Sequence, residues 1–368
     1  MPEVKKVRST TAATTALVAA LALFVSACGG GESKAATPKA TTATVAPTTT
    51  TVAPPTAPLT GLVDPGAASH GRPALSVKVE NTEASRPQTG IDQADVVYEE
   101  VVEYDITRFV AMFNSTVPAV IGPVRSVRSE DPDIVWPVGG IFAYSGGAPV
   151  NVDAINAAPV HAVDEFTAGS AMVRNQQDQP PRDAPHNLYG LGQPLFDLGG
   201  DPKPPPALFQ YVANGAPAVA GQGVIDFRVG FQDGYDPTWT WVAATGLWAR
   251  TIDGVPSTVV GGAPIAPANV VIQFTQYSGE AEAQTVGEGD VWIFSDGVLR
   301  TGRWVRPDKA QPAKYVDAAG NPIPLRPGRT WVELLPVGSA VDITPAPAPA
   351  PTVPPATTVP PTTAKKKK

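Results

Sequence analysis

Two tracts poor in bulky apolar side chains bracket this chain and limit how much of it can fold. From Gly29 to about Pro58 the sequence is Thr, Ala, Pro and Ser with scarcely a large apolar residue, and a similar tract runs from Pro345 to Ala364. Neither can bury enough surface to offset the entropy of ordering. Between them lie roughly 285 residues, room for two domains of ordinary size. The run Asp201-Pro202-Lys203-Pro204-Pro205-Pro206 suits neither a helix interior nor a central strand, and it predicts a seam.

The patterns on the two sides of that seam differ. The first half offers strands over Ala74 to Glu80, Asp95 to Glu103, Thr107 to Phe113 and Gly140 to Ser145, with helices near Ser129 to Trp136 and Val150 to Ala157. The second half reads as strands over Val224 to Phe231, Thr238 to Ala243, Leu247 to Ile252, Asn269 to Tyr277, Asp290 to Ser295, Val298 to Val305 and Thr330 to Leu335. Asp253-Gly254 and Asp296-Gly297 supply the positive φ that two-residue hairpins need. The expected class is α+β: a mixed α/β amino-terminal domain over 58–200, then a smaller, mainly antiparallel β domain over 207–343. A leader over 1–27 and a disordered Thr/Pro/Ala tether over 28–57 precede them. A disordered Pro/Thr tail over 344–368, ending in Lys365 to Lys368, follows.

The leader has a positive start in Lys5, Lys6 and Arg8 and an apolar run from Ala12 to Val25, which is too short to stay as a membrane span. Val25-Ser26-Ala27-Cys28 then resembles a bacterial lipobox, in which the peptide is cut before a diacylated Cys28. Two acyl chains hold a protein stably on a bilayer where one does not. The plainer reading is an ordinary signal peptide with an incidental cysteine. The lipobox reading places the protein on the extracytoplasmic side of a bacterial cell membrane, tethered through Cys28.

Loss of the leader removes Glu3 with Lys5, Lys6 and Arg8, moving the formal charge from −7 to −9. So acidic a body argues against nucleic acid as a partner. Cys28 is the only cysteine, and His70, His161 and His186 are the only histidines. Disulfides and thiol chemistry are excluded, a multi-histidine metal site is not expected, and no cofactor is predicted. No phosphate-cradling loop, dinucleotide fingerprint, zinc-protease motif or nucleophile elbow occurs.

The polar constellation densest in candidate chemistry runs from Arg86 to Arg128. Alternation along 96–103 puts Glu99 and Glu103 on one face. A two-residue turn at Tyr104-Asp105 would set Val101 opposite Arg108 and Glu99 opposite Val110, with Arg108 between two carboxylates. Such a group could be a ligand-binding or acid/base face, or the ion-paired solvent face of a hairpin. Glu99 and Glu103 alone cannot be a glycosidase pair, since positions four apart on one strand are about 13 Å apart, against the roughly 5 to 9.5 Å required. Arg125 and Arg128, three apart after Gly122-Pro123, could clamp an anion or could neutralise the domain's own carboxylates. His186, in Arg182-Asp183-Ala184-Pro185-His186-Asn187-Leu188-Tyr189, could transfer protons or could be a structural loop histidine.

Pro58-Leu59-Thr60-Gly61-Leu62, Arg86-Pro87-Gln88-Thr89-Gly90, Ala94 to Glu99, Ile106 to Phe109, Gly122 to Arg128 and Ala184 to Tyr189 resemble the YerB-like lipoprotein family. Trp304, Tyr315-Val316-Asp317, Gly320, Ile323-Pro324-Leu325, Pro327-Gly328 and Thr330-Trp331-Val332 look like that family's separate carboxy-terminal domain. The resemblance implies a lipid-anchored envelope protein built from two domains of unknown function, with no assigned reaction. Family members usually carry two glycines where this chain has Tyr104-Asp105, and a longer turn here would shift the register between Glu99 and Arg108.

The expected function is binding of a cell-envelope component, peptidoglycan or a partner protein, through the first domain. Its candidate ligand contacts are Arg86, Gln88, Tyr98, Arg108, Arg125, Arg128, Asn187 and Tyr189. The alternative is a cell-wall glycan hydrolase or lyase, with Glu99, Glu103 and His186 as catalytic candidates. Trp239, Trp241, Trp248, Trp292, Trp304 and Trp331 would stack on sugars if exposed and are otherwise core.

Overall fold

A computed structural model describes residues 54–347, apart from 200, 232–234 and 280. The leader, Cys28, most of the expected tether and the lysine-rich end lie outside the described residues. In the first half the elements are β1 (Leu75–Glu80), β2 (Val96–Val101), β3 (Thr107–Phe113), β4 (Val120–Ile121), α1 (Asp131–Val135), β5 (Ile141–Ala143), α2 (Pro149–Asn156), β6 (His161–Val163), β7 (Met172–Arg174), β8 (Leu188–Leu191) and α3 (Gly192–Asp197). The second half adds β9 (Gln222–Val229), β10 (Pro237–Val242), β11 (Leu247–Ile252), β12 (Val255–Pro256), β13 (Asn269–Thr275), β14 (Tyr277–Ser278) and β15 (Glu282–Ala283). It closes with β16 (Gly287–Ser295), β17 (Val298–Arg306), β18 (Lys314–Val316), β19 (Thr330–Pro336) and β20 (Val341–Pro345). Strand dominates and the helices are short, so α+β describes the body only coarsely. No described helix is long and apolar enough to cross a membrane.

One sheet runs through both halves, in the order β12-β11-β10-β9-β17-β16-β13-β19-β2-β3-β1-β5-β6. Its joint is β19, which lies parallel to β13 on one side and to β2 on the other, with Glu333 beside both Ile272 and Glu99. The Pro-rich segment 201–206 is irregular, as its composition requires. The backbone hydrogen bonds of the two sequence halves nevertheless join within a single sheet.

Alternation along the strands gives the sheet two buried faces. On one, Val77, Val97, Phe109, Ile272 and Trp331 pack with Phe227, Trp239 and Trp248 of β9–β11. The rings of Phe227 and Phe294 stack there with centroids 3.5 Å apart. On the other face, Val96, Val110, Met112, Val332 and Leu334 pack against Ile134 and Val135 of α1 and Ile155 of α2. Trp239, Trp248, Trp304 and Trp331 are buried and belong to these cores; Trp241 and Trp292 pack against them from partly buried positions.

Both ends of the body extend further than composition suggests. Thr56 bridges Val63 and Ala57 is buried, so the expected tether ends before its predicted limit at 57. Thr344 and Pro345, assigned to a disordered tail, form the end of β20 against β9, and the Ala346 amide donates to the Gly223 carbonyl at 2.9 Å.

The turn between β2 and β3 is longer than two residues. The Val102 amide donates to the Ile106 carbonyl at 2.8 Å, and exposed Tyr104 takes a φ of 64°. Arg108 therefore pairs with Glu100, and Glu99 with Phe109, which corrects the expected Val101–Arg108 register. The one-residue shift moves Arg108 to the opposite face of the sheet from Glu99.

Candidate functional site

The ends of three neighbouring strands bring the chemistry together. Register places Glu80 of β1 and Glu100 of β2 on either side of Arg108 of β3, all on the face that packs against α1. Beside β1 the chain from Gly122 to Arg128 lies close to the strand. Val124 bridges Val79, and the Arg125 amide donates to the Lys78 carbonyl at 2.9 Å. Arg125 is thereby set against Glu80, Nε to Oε1 at 3.3 Å. The Ser126 carbonyl accepts from Arg108 Nη1 at 3.1 Å and from Arg128 Nη1 at 3.4 Å. Arg128 also donates through Nε to Glu103 at 2.7 Å. Arg108, Arg125 and Arg128 thus surround one turn of loop.

Beneath them lies a fully buried charge group that the sequence reading passed over. Lys78 Nζ contacts Glu100 and donates to Asp131 Oδ1 at 2.8 Å, with none of the three side chains exposed. Burial holds the Lys78 ammonium below its ordinary value, opposed by Asp131. The neighbouring Glu130 carboxyl is pushed up to about 7, mainly by burial.

Among the described residues Arg108 has no carboxylate in ion-pair contact, although Glu103 and Asp131 lie near enough to oppose the lowering of its pKa. Glu100 faces Lys78, and Glu80 faces Arg125 and His186, so both cross-strand neighbours of Arg108 are engaged elsewhere. The residue is 4% exposed, and its Nε has no hydrogen-bond partner among the described residues. Burial first, then Arg128 and Arg125, lower its pKa to about 10. A buried guanidinium facing two more cations is electrostatically unfavourable unless something anionic joins it.

His186 reaches the same cluster from the 175–187 loop. Its Nδ1 lies 2.9 Å from each oxygen of the buried Glu80 carboxylate, and the ring side is 26% exposed. Thr82 adds a donor to Glu80 Oε1 at 2.9 Å. The loop also frames an open groove of about 450 Å³ lined by Asn175, Gln176, Gln179, Pro180, Arg182 and Asp183 among others. Asn175 and Asp178 hold positive φ in that loop, a backbone state uncommon outside glycine.

The remaining candidates divide among other places. Arg86 donates to the Asn81 carbonyl at 2.8 Å and lies over the Tyr235 ring, while Gln88 holds Asn81 Oδ1 at 3.0 Å and the Glu80 carbonyl at 3.1 Å. Tyr189 is buried and accepts from Arg182 at 2.6 Å, and Asn187 is tied to Asn175 and Arg174. Tyr98 shares a buried pocket with Ile134, Leu208 and Arg306, and burial raises its hydroxyl to about 12.

Glu99 belongs to a different assembly on the opposite face. Its carboxylate accepts from Thr107 at 2.8 Å, Tyr235 at 2.8 Å, Trp331 at 3.0 Å and Arg250 at 3.0 Å. Arg250 in turn lies within 6 Å of the ring centroids of Phe109, Tyr235, Trp239 and Trp331. Glu333, adjacent to Glu99 on β19, is held well above the ordinary carboxylate range by burial and by Glu99. Among the described residues no group of three or more His, Cys, Asp or Glu is placed to hold a metal ion.

Residues 59–198 match the family described as the amino-terminal domain of a protein of unknown function, DUF3048, and residues 227–332 match its carboxy-terminal domain. The protein named "Putative lipoprotein YerB" from Bacillus subtilis (strain 168) is 27% identical over 305 residues, 78% of this chain and 88% of that protein. The crystal structure of YerB protein from Bacillus subtilis superposes with a TM-score of 0.68 at 24% identity, over 78% of this chain and 99% of that one.

Proposed function

This chain belongs to the YerB-like family with its paired DUF3048 domains, and we propose that it is a lipid-anchored, extracytoplasmic protein that binds an anionic cell-envelope component at Arg108, Arg125 and Arg128. The observation that carries this reading is the Arg108 guanidinium, 4% exposed and without an ion-pair partner among the described residues. Guanidinium groups match carboxylate and phosphate by paired donors. Peptidoglycan, with its peptide carboxylates, is the favoured ligand, and an acidic partner protein is the other.

Binding is favoured over glycan cleavage because the candidate carboxyls are already engaged. Glu99 is buried beneath hydrogen-bond donors, and Glu103 holds Arg128. Co-sedimentation with isolated cell-wall peptidoglycan tests the proposal. Native protein should pellet with the wall material, and Arg108→Met and the double variant Arg125→Ala/Arg128→Ala should stay in the supernatant. Equal pelleting by all three would remove the arginines from the site. A native protein that stays soluble would direct the search to protein partners.

A further inference from the structure

The Glu80–His186 pair places a second demand on the ligand, and this step rests on the anion-binding reading above. Two donors and one ion-pair partner converge on the Glu80 carboxylate: Thr82 donates at 2.9 Å and His186 Nδ1 at 2.9 Å, while Arg125 Nε lies 3.3 Å away as an ion-pair neighbour. A carboxylate accepts hydrogen bonds and does not donate them, so Nδ1 is the nitrogen that carries the proton. In the neutral ring this fixes Nε2 as a bare acceptor. No described residue is hydrogen-bonded to Nε2, and the side chain is partly exposed. Arg125 and His186 touch the same carboxylate, so the acceptor stands directly beside the arginine cluster.

A simple anion has no use for that acceptor, because its oxygens bear lone pairs like those of Nε2. A ligand with a hydroxyl next to the anionic group satisfies both. We propose that the site recognises an anionic group flanked by a hydroxyl, the oxyanion held by Arg108 and Arg125 and the hydroxyl proton donated to His186 Nε2. Uronates and other hydroxy acids fit this description, as do phosphates of sugars and of glycerol. They share the chemistry of an oxyanion with a neighbouring O–H.

Matched small probes separate the two requirements. Binding would be followed by calorimetry or NMR titration with glucuronate against acetate, and with glycerol 1-phosphate against methyl phosphate. Native protein should bind the hydroxyl-bearing member of at least one pair about tenfold more tightly, the scale of one hydrogen bond. The pair with the larger gain identifies carboxylate or phosphate. His186→Phe should bind both members of that pair equally. The native ring offers a check that needs no variant: at a pH where the ring is neutral, its Nε2 nitrogen resonance should move on adding the hydroxyl-bearing probe only, and movement with both members of a pair would remove the hydroxyl requirement. If acetate and methyl phosphate bind as tightly as their partners, and Arg108→Met abolishes them, the anion site stands and the hydroxyl requirement is wrong. If none of the four probes gives a saturable signal, the anion reading fails first.

Discussion

Glu99 and Arg250 form an ion pair at 3.0 Å in which neither side chain is more than 1% exposed. One comes from β2 and the other from β11, on opposite sides of the Pro-rich segment. Indole, phenol and hydroxyl donors complete the carboxylate, and four rings surround the guanidinium. Such a pair adds little over a well-packed apolar pair, but losing one member leaves a buried charge. Glu99→Gln and Arg250→Met should each lower stability by about 3–5 kcal/mol. Urea unfolding midpoints would measure this, and the joint change Glu99→Leu with Arg250→Met should recover part of the loss.

Cutting the chain within 201–206 should not release two bodies. A protease cleavage site engineered there should be cut readily, since the segment is irregular and largely exposed. The two pieces should still co-elute on size exclusion until denaturant is added, because β2 and β19 remain paired. Separation without denaturant would show that the halves are independent units.

Lys78 and Arg108 should respond oppositely to the same substitution. Lys78→Met leaves Glu100 and Asp131 buried without their cation, at a cost of about 3–5 kcal/mol. Arg108→Met removes a cation that has no ion-pair partner among the described residues and relieves repulsion from Arg125 and Arg128, offset by lost attraction to Glu103 and Asp131 and the lost bond to the Ser126 carbonyl. Its stability should lie within about 1 kcal/mol of native, or above it. Thermal unfolding of the two variants side by side decides the matter.

Stability should decline between about pH 4.5 and pH 7. The Glu130 carboxyl sits near 7 in the folded protein, against an ordinary 4.5. A raised acid favours the folded state fully below the unfolded value, and the benefit disappears as pH rises through the folded one. The loss should be on the order of 3 kcal/mol. Glu130→Gln should flatten this part of the pH profile, and an unchanged slope would assign the decline to another group.

Cys28→Ala should shift the protein from the membrane fraction to the soluble fraction, or leave the leader uncleaved. Fractionation with mass determination of the amino terminus reads either outcome. Normal cleavage and normal membrane retention would exclude anchoring through this thiol.

Local chemistry made much of the fold legible. The bounds of β3 and β11 coincide with those read from alternation, and both Asp-Gly hairpins adopt positive φ at each residue. What local signals could not convey is parallel pairing between distant strands, so the place of β19 between β13 and β2 was not foreseen. The site was legible in part. Arg125, Arg128 and His186 stood out by residue type, but the five-residue connection between Val102 and Ile106 shifted Arg108 away from Glu99. Lys78 and Glu80 alternate with apolar residues in Leu75–Glu80 and share a face by simple periodicity. A lysine on a strand that is buried along its whole length was the available signal of a compensating charge group.

The position of β19 also sets the timing of folding. Until residues 330–336 are made, β2 has no neighbour on one side, although the chain between them is more than 200 residues long. At ordinary synthesis rates that interval is on the order of 10–50 s. Throughout it, an unpaired strand edge stands open to other chains, the condition under which nascent proteins aggregate or recruit chaperones. The strands β1, β2, β3, β5 and β6 can pair among themselves earlier, but the second edge of β2 waits for nearly the last strand.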